Sequence, residues 1–244
     1  MKTRSSWQDV QRAFYDSTAG HHGQNFQQAN PYFDFVLERF LEAVAPHPGD
    51  RILELGSSGG RFTLPLLERG CRVTGVDLSA TTVDYLARLV ASHPRRDALR
   101  LVQDDAELLA EVQDRDFDAV VGGHILHHVR DVAAVAQRAR ERLRPGGRAV
   151  FLEPNPWNPQ WAVHLAIHPG KSWRVERGVY RVWPGRVQRV FADAGFTCRV
   201  ETFGCFPPFV HNVFASAGRV ERALERMPGL PRSFTLNLFV GRLA

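Results

Sequence analysis

The chain has 244 residues, 44% of them hydrophobic, enough for one full α/β domain with extensions. Its net charge is +5, yet of 31 Lys and Arg residues only Lys2 and Lys171 are lysines, and the arginines are scattered without interleaved aromatics, which argues against a nucleic-acid footprint. Three cysteines, Cys71, Cys198 and Cys205, form neither a disulfide framework nor a metal-ligand spacing. Residues 1–28 are polar, and no apolar run nears the ~20 residues of a membrane span, so a soluble cytoplasmic protein without metal is expected.

Helical spacing opens the chain. Trp7, Val10 and Phe14 share one side of a helix over 7–19, which leads into a turn at His21-His22-Gly23. Pro31 starts a second helix to residue 44, carrying Phe33, Val36, Leu37, Phe40 and Leu41 on its apolar face. After a proline-rich break, Arg51-Ile-Leu-Glu-Leu-Gly-Ser-Ser-Gly-Gly-Arg61 reads as a short strand ending in a glycine-rich turn, with a helix over 61–69. This is the opening of a nucleotide-binding βαβ unit. Ser58 stands where G-x-G-x-x-G needs its second glycine, which disfavours a pyrophosphate cradle. The segment resembles motif I of the class I S-adenosylmethionine-dependent methyltransferases, (D/E)-x-G-x-G-x-G, with Glu54, Gly56 and Gly60 matching and Ser58 departing. A serine is accommodated there if its φ is negative.

Cys71-Arg-Val-Thr-Gly-Val-Asp77 is the second strand, and Ser79 caps a helix over 81–90. A carboxylate about twenty residues beyond the glycine turn, at a strand's carboxyl end, is placed to accept adenosine ribose hydroxyls, so Asp77 is the strongest single-residue expectation. Residues 99–106 are the third strand and its exit, with Asp104 expected in solvent and Asp105-Ala106 matching the family's adenine-binding pair. The fourth, 117–123, runs into His124-Ile-Leu-His-His-Val-Arg-Asp131. A helix follows, and then the fifth strand, Leu143-Arg-Pro-Gly-Gly-Arg-Ala-Val-Phe-Leu-Glu153. In this order the motifs resemble the small-molecule, ubiquinone-biosynthesis-type methyltransferases.

That resemblance implies a Rossmann-like, doubly wound α/β fold with a seven-stranded sheet whose last strand is antiparallel. Residues 1–48 would form a helical lid and 49–244 the core. S-adenosyl-L-methionine is the implied cofactor, with contacts at Tyr15, Glu54, Gly56, Ser58, Gly60, Asp77, Leu78, Asp105, Ala106 and Gly123. His124, His127 and His128 stand at the strand-four exit as candidate acid-base residues, since histidine titrates near neutral pH.

Glu153-Pro-Asn-Pro-Trp-Asn-Pro159 is turn-rich, a short helix is expected over 161–167, and 154–183 reads as a cap. His164 and His168 lack a third ligand at metal-like spacing. A helix over 184–194 ends at Gly195, strand six spans 198–204, and strand seven 234–240. Between them, 206–233 is an insertion with an amphipathic helix over 213–226, expected over the cleft, against a partner or on a membrane surface, in that order. His22, Glu153, Asn155, Trp157, Phe206 and Phe209 are the candidate acceptor contacts. The reading is methyl transfer, to oxygen or carbon, of a small apolar or aromatic acceptor, with no nucleic-acid partner. Two alternatives stay open: a degenerate member that binds the cofactor structurally and catalyses a rearrangement or serves as a partner subunit, and a nicotinamide oxidoreductase. The latter is weakened because both lysines lie outside the core.

Overall fold

The structure, a computed structural model, describes residues 7–26, 30–159, 173–214, 216–227, 229 and 233–243, with the backbone alone for 18–26 and 173–174. Its centre is one sheet of β1 (Arg51–Leu55), β2 (Arg72–Asp77), β3 (Leu99–Gln103), β4 (Phe117–Gly123), β5 (Leu143–Pro154), β6 (Phe196–Phe203) and β7 (Leu236–Leu243), in the order β3-β2-β1-β4-β5-β7-β6. Strands β1 to β5 are parallel, and β7 runs antiparallel to both β5 and β6. The expected doubly wound sheet with a reversed last strand is therefore present.

Period-two side-chain alternation divides the interior. On β5, Ala149 and Phe151 enter one core while Val150 and Leu152 enter the other, so a strand buried on both faces reads as a continuous apolar run. The first core is closed by α5 (Val132–Arg142) through Val135, Ala136 and Ala139, and by α7 (Pro184–Asp193) through Val187 and Phe191. The second is closed by α2 (Pro31–Val44) through Phe35, Val36 and Phe40, and by α3 (Thr63–Glu68) through Leu66 and Leu67. Caps fix the helix starts: the Asn30 side chain accepts the N–H of Tyr32, Ser79 Oγ that of Thr82 at 3.1 Å and Asp131 Oδ1 that of Ala133 at 2.9 Å.

Two elements differ from expectation. Helix α1 (Trp7–Phe26) continues through the turn expected at 21–23, because it packs along α4 (Ala80–Leu89), and Gly23 inside a helix costs only about 1 kcal/mol. The insertion holds two helices in place of one: α8 (Pro208–Val213) ends at Phe214, whose extended backbone breaks the run before α9 (Ala217–Leu224). The helix expected over 161–167 lies outside the described residues. Between β5 and α7 the chain forms α6 (Trp173–Glu176) and a 3-10 turn, Arg177–Arg181. Among the described residues no helix is long and apolar enough to cross a membrane.

The strand order reverses between β1 and β4, whose chain neighbours lie on opposite sides. The turns leaving these two strands face each other at the sheet's carboxyl edge, where open α/β sheets bind ligands.

Candidate active site

In the turn after β1, Gly60 has φ 83°, and a Cβ there would fall 2.6 Å from Leu86 of α4. Glycine at this position therefore seats α4 against the turn. Ser58 contradicts the expectation of a negative φ: its φ is 46°, a left-handed conformation that costs an L-residue roughly 1–2 kcal/mol. What holds it is Asp77. The Ser58 N–H donates to Asp77 Oδ2 at 2.9 Å and the Ser79 N–H to Oδ1 at 3.0 Å, so one carboxylate ties the turn to the start of α4. Burial raises the Asp77 pKa, and those amide donors oppose the shift. Each oxygen keeps acceptor capacity for a ribose hydroxyl. Beside it Ser57 Oγ is buried without a hydrogen-bond partner, the kind of orphaned group that a polar ligand satisfies. The turn fits an adenosine cofactor on these observations.

Other expected cofactor contacts are placed differently. Glu54 turns inward at 1% exposure and accepts a hydrogen bond from Thr63 Oγ1 at 2.6 Å; burial pushes its pKa to about 8, so it is a neutral pin for α3 and does not face the cleft. Asp105 Oδ1 accepts the Glu107 N–H at 2.8 Å and begins the turn that carries buried Ala106. Asp104, expected in solvent, accepts the N–H groups of Asp105 and Glu111 at 2.7 and 2.8 Å. The Leu78 carbonyl meets Gln103 Nε2 at 3.4 Å, and Gly123 lets Phe62 pack where a Cβ would be 2.1 Å from its ring.

The turn after β4 is built around Glu153. His124, at φ 58°, leaves the strand, and the N–H groups of Ile125 and Leu126 then donate to Glu153 Oε1 at 2.8 and 2.7 Å. The other carboxylate oxygen lies 2.5 Å from His127 Nδ1, and across the ring Nε2 is 3.4 Å from Glu176 Oε2. Burial alone would lower the His127 pKa. The charge and hydrogen bond of Glu153, with Glu176 opposite, overturn that and raise it to about 9, leaving a cation bracketed by two carboxylates. The His128 ring lies 3.9 Å from that of His127, tilted by 44°, and its Nε2 is 2.8 Å from Tyr15 Oη. Burial, then Glu176, Asp77 and Glu153, raise the Tyr15 pKa and keep its hydroxyl neutral.

Helix α1 covers both turns. Trp7 Nε1 donates to the His128 carbonyl at 2.6 Å, while Asp16 Oδ1 accepts Ser79 Oγ at 2.5 Å beside Asp77. The 3-10 turn closes from the other side, where a Cβ on Gly178 would fall 1.7 Å from the His127 carbonyl oxygen and Arg181 Nη2 donates to the Val129 carbonyl at 3.1 Å. The guanidinium groups of Arg177 and Arg181 lie over the Trp7 ring.

The expected acceptor contacts are not brought together. Glu153 is fully buried and committed to the histidine turn; Asn155 is pinned to β7's approach, its amide donating to the Phe234 carbonyl at 2.7 Å. Trp157 is 65% exposed against Trp183, Phe209 is 66% exposed, and the Phe206 N–H donates to Glu221 at 2.5 Å. The His22 side chain, Trp161, His164 and His168 lie outside the described residues. Sequence reasoning missed Glu176, Trp7 and Gly178. Glu176 had one signal: it is the only acidic residue between Glu153 and Asp193. A groove of about 540 Å³ lined by Arg51, Arg72, Arg95 and Arg100 lies at the sheet's amino edge, at the opposite end of the strands from the turns after β1 and β4.

Residues 53–151 match the family described as a methyltransferase domain. A ubiquinone biosynthesis O-methyltransferase of Chelativorans sp. (strain BNC1) is 30% identical over 173 residues, 68% of this chain and 66% of that protein. The chain spans about half to two thirds of the length of the curated relatives it matches, 47% and 60% in two others of the same name. Among solved structures, geranyl diphosphate methyltransferase in complex with GPP and sinefungin is similar with a TM-score of 0.67 and 17% identity, over 98% of this chain and 100% of that one. Phosphoethanolamine N-methyltransferase 2 of Haemonchus contortus, in complex with S-adenosyl-L-methionine, gives a TM-score of 0.68 at 18% identity, over 99% of this chain and 61% of that one. These two likenesses speak for the fold alone. With its motif order, its strand order and these relatives, the chain belongs to the class I S-adenosylmethionine-dependent methyltransferases.

Proposed function

We propose that this protein transfers the methyl group of S-adenosylmethionine to a hydroxyl oxygen of a small apolar or aromatic acceptor. The observation that carries the reading is the buried His127 between Glu153 and Glu176, set beside the His128–Tyr15 pair and under the same helix that touches the Asp77 turn. The cofactor supplies a methyl group already activated on sulfur. The chain's own work is then to align the acceptor and manage its proton. Asp77, Ser57 and the Asp105-Ala106 pair hold the nucleoside end.

With no ion bound, His127 keeps its proton at neutral pH and so is not the base; both ring nitrogens face carboxylates, which fixes the ring in the turn. Removing the hydroxyl proton falls to the remaining groups of the turn, His124 and His128. The O-methyltransferase names of the relatives support oxygen over carbon as acceptor atom. An apolar acceptor suits the exposed row of Phe209, Val213 and Phe214 on the insertion, which would also meet a lipid surface that presents it. Three free cysteines suit a reducing, cytoplasmic setting.

The test is incubation of the purified chain with S-adenosylmethionine and matched phenol, enol and amine acceptors, with products read by mass spectrometry. Methylated phenolic products with S-adenosylhomocysteine release are expected; turnover confined to amines, or none with any hydroxyl acceptor, contradicts the proposal.

A further inference from the structure

We propose that His127, His128 and Glu176 form a binding site for one divalent transition-metal ion of the zinc type, with a coordination position left for the acceptor's oxygen. The three residues are buried, and each offers one donor atom, all lying within 4.8 Å of one another. The best-defined pair has the right spacing. Two ligands each about 2.1 Å from a tetrahedral ion lie about 3.4 Å apart, and His127 Nε2 is 3.4 Å from Glu176 Oε2. Two imidazoles and one carboxylate are a donor set for zinc, iron(II), cobalt(II) or manganese(II), and poorly suited to magnesium or calcium, which prefer oxygen.

The surroundings supply what a metal site needs beyond its ligands. Ligating histidines are oriented by a partner on the other ring nitrogen, often a carboxylate. Glu153 Oε2 stands 2.5 Å from His127 Nδ1, on the side away from Glu176, and its other oxygen is anchored by two backbone amides. Tyr15 Oη lies 2.8 Å from Nε2 of His128 and orients that ring. The ligands come from separate elements: the turn after β4 gives the histidines and α6 gives the carboxylate. The lid formed by α1 and the 3-10 turn shields them, with Gly178 against the His127 carbonyl.

Binding of the ion displaces the Nε2 proton of His127, so the ion's charge replaces that of the imidazolium, and with His127 and His128 as ligands His124 is the turn histidine left as base. Metal binding is independent of the proposed reaction, and the ion's role rests on the hydroxyl-acceptor reading. In the open position a hydroxyl oxygen is polarised, as water is on catalytic zinc. Its O–H bond breaks with the proton passing to His124, the turn histidine that is not a ligand. The oxygen then bonds to the methyl carbon, and the S–CH₃ bond breaks with its electron pair left on sulfur.

The experiment uses the full chain stripped with a chelator, then titrated with Co²⁺ by calorimetry and visible absorption and with Zn²⁺ in competition. One Co²⁺ per chain with ligand-field bands is expected. Glu176→Gln should weaken binding at least ~100-fold, more than the ~10–100-fold typical of losing an orienting partner, and Glu153→Gln should fall within that smaller range. His128→Gln is a second ligand variant, with circular dichroism as the check on folding. S-adenosylhomocysteine affinity is measured on the same samples. Retained nucleoside binding without stoichiometric metal overturns this inference and leaves the proposed function standing, while loss of nucleoside binding in the parent counts against that function. Metal binding equally tight in Glu176→Gln would place the ion elsewhere and overturn the site.

Discussion

The turns after β1 and β4 leave the sheet at the same edge, yet their partners lie at very different distances along the chain. Asp77 fixes the first turn through Ser58, 19 residues away, and Ser79, two residues away. The second depends on Glu153 at 26 residues from His127, on Tyr15 at 113 residues from His128 and on Trp7 at 121. The first is thus a local product of one βαβ unit, whereas the second is complete only when α1 and the 3-10 turn have docked. The two should respond differently to substitution: residues of the β1 side tune the seat, while those of the β4 side couple chemistry to global stability.

The largest expected effect probes the β1 strand itself. Glu54 has a folded pKa of about 8 against an ordinary value of 4.5, so between those limits the folded chain binds more protons than the unfolded one. The contribution of Glu54 to stability is therefore full below pH 4.5 and is lost as pH rises through 8. The ceiling of that loss is roughly 5 kcal/mol at 1.36 kcal/mol per unit. Urea unfolding across this range should show the decline, and Glu54→Gln should remove it. An unchanged slope in the variant would mean that Glu54 is not the group titrating.

Next in size, Glu153→Ala strips His127 of its partner and leaves the amides of Ile125 and Leu126 unsatisfied. Breaking a buried charged pair costs about 3–5 kcal/mol, read as a lower urea midpoint. A loss below about 1 kcal/mol would show that the β4 turn holds without its central carboxylate, and the contrast between the two turns would fail. The smallest effect is Ser58→Gly. Relief of a left-handed φ outweighs glycine's added unfolded-state freedom only slightly, so stability should rise by about 0.5–1 kcal/mol. A destabilised Ser58→Gly would mean that the serine side chain does something the backbone argument omits.

This contrast also explains how much was legible in the sequence. The strands, Ser79's cap and Asp77 at the end of β2 rest on short-range patterns of apolar period and turn chemistry, and the doubly wound sheet with a reversed last strand followed from the family resemblance. Ser58 escaped because a sign of φ is a tertiary outcome, fixed here by the Asp77 carboxylate. Glu153 was expected to face the acceptor since it ends a strand at the binding edge. Strand alternation does not say which backbone amides such a carboxylate will meet when the preceding turn folds back onto it. Glu176 offered only its isolation as an acidic residue, since its meaning arises from a contact with His127 across the β4–α5–β5 crossover. The aromatics of the insertion were expected to line a pocket, but Phe209 and Phe214 face outward because His211 takes the interior place between Tyr32 and Phe35.

In the proposed function the nucleoside seat belongs to the β1 turn and the acceptor chemistry to the β4 turn. Calorimetric titration of S-adenosylhomocysteine into the parent, Asp77→Ala and Glu176→Gln tests it most directly. One nucleoside should bind per parent chain, Asp77→Ala should lose at least the ~1.5–3 kcal/mol of a hydrogen bond to a charged group, and Glu176→Gln should bind as the parent does. Equal binding by parent and Asp77→Ala, or a loss in Glu176→Gln as large as that expected for Asp77→Ala, would contradict the division.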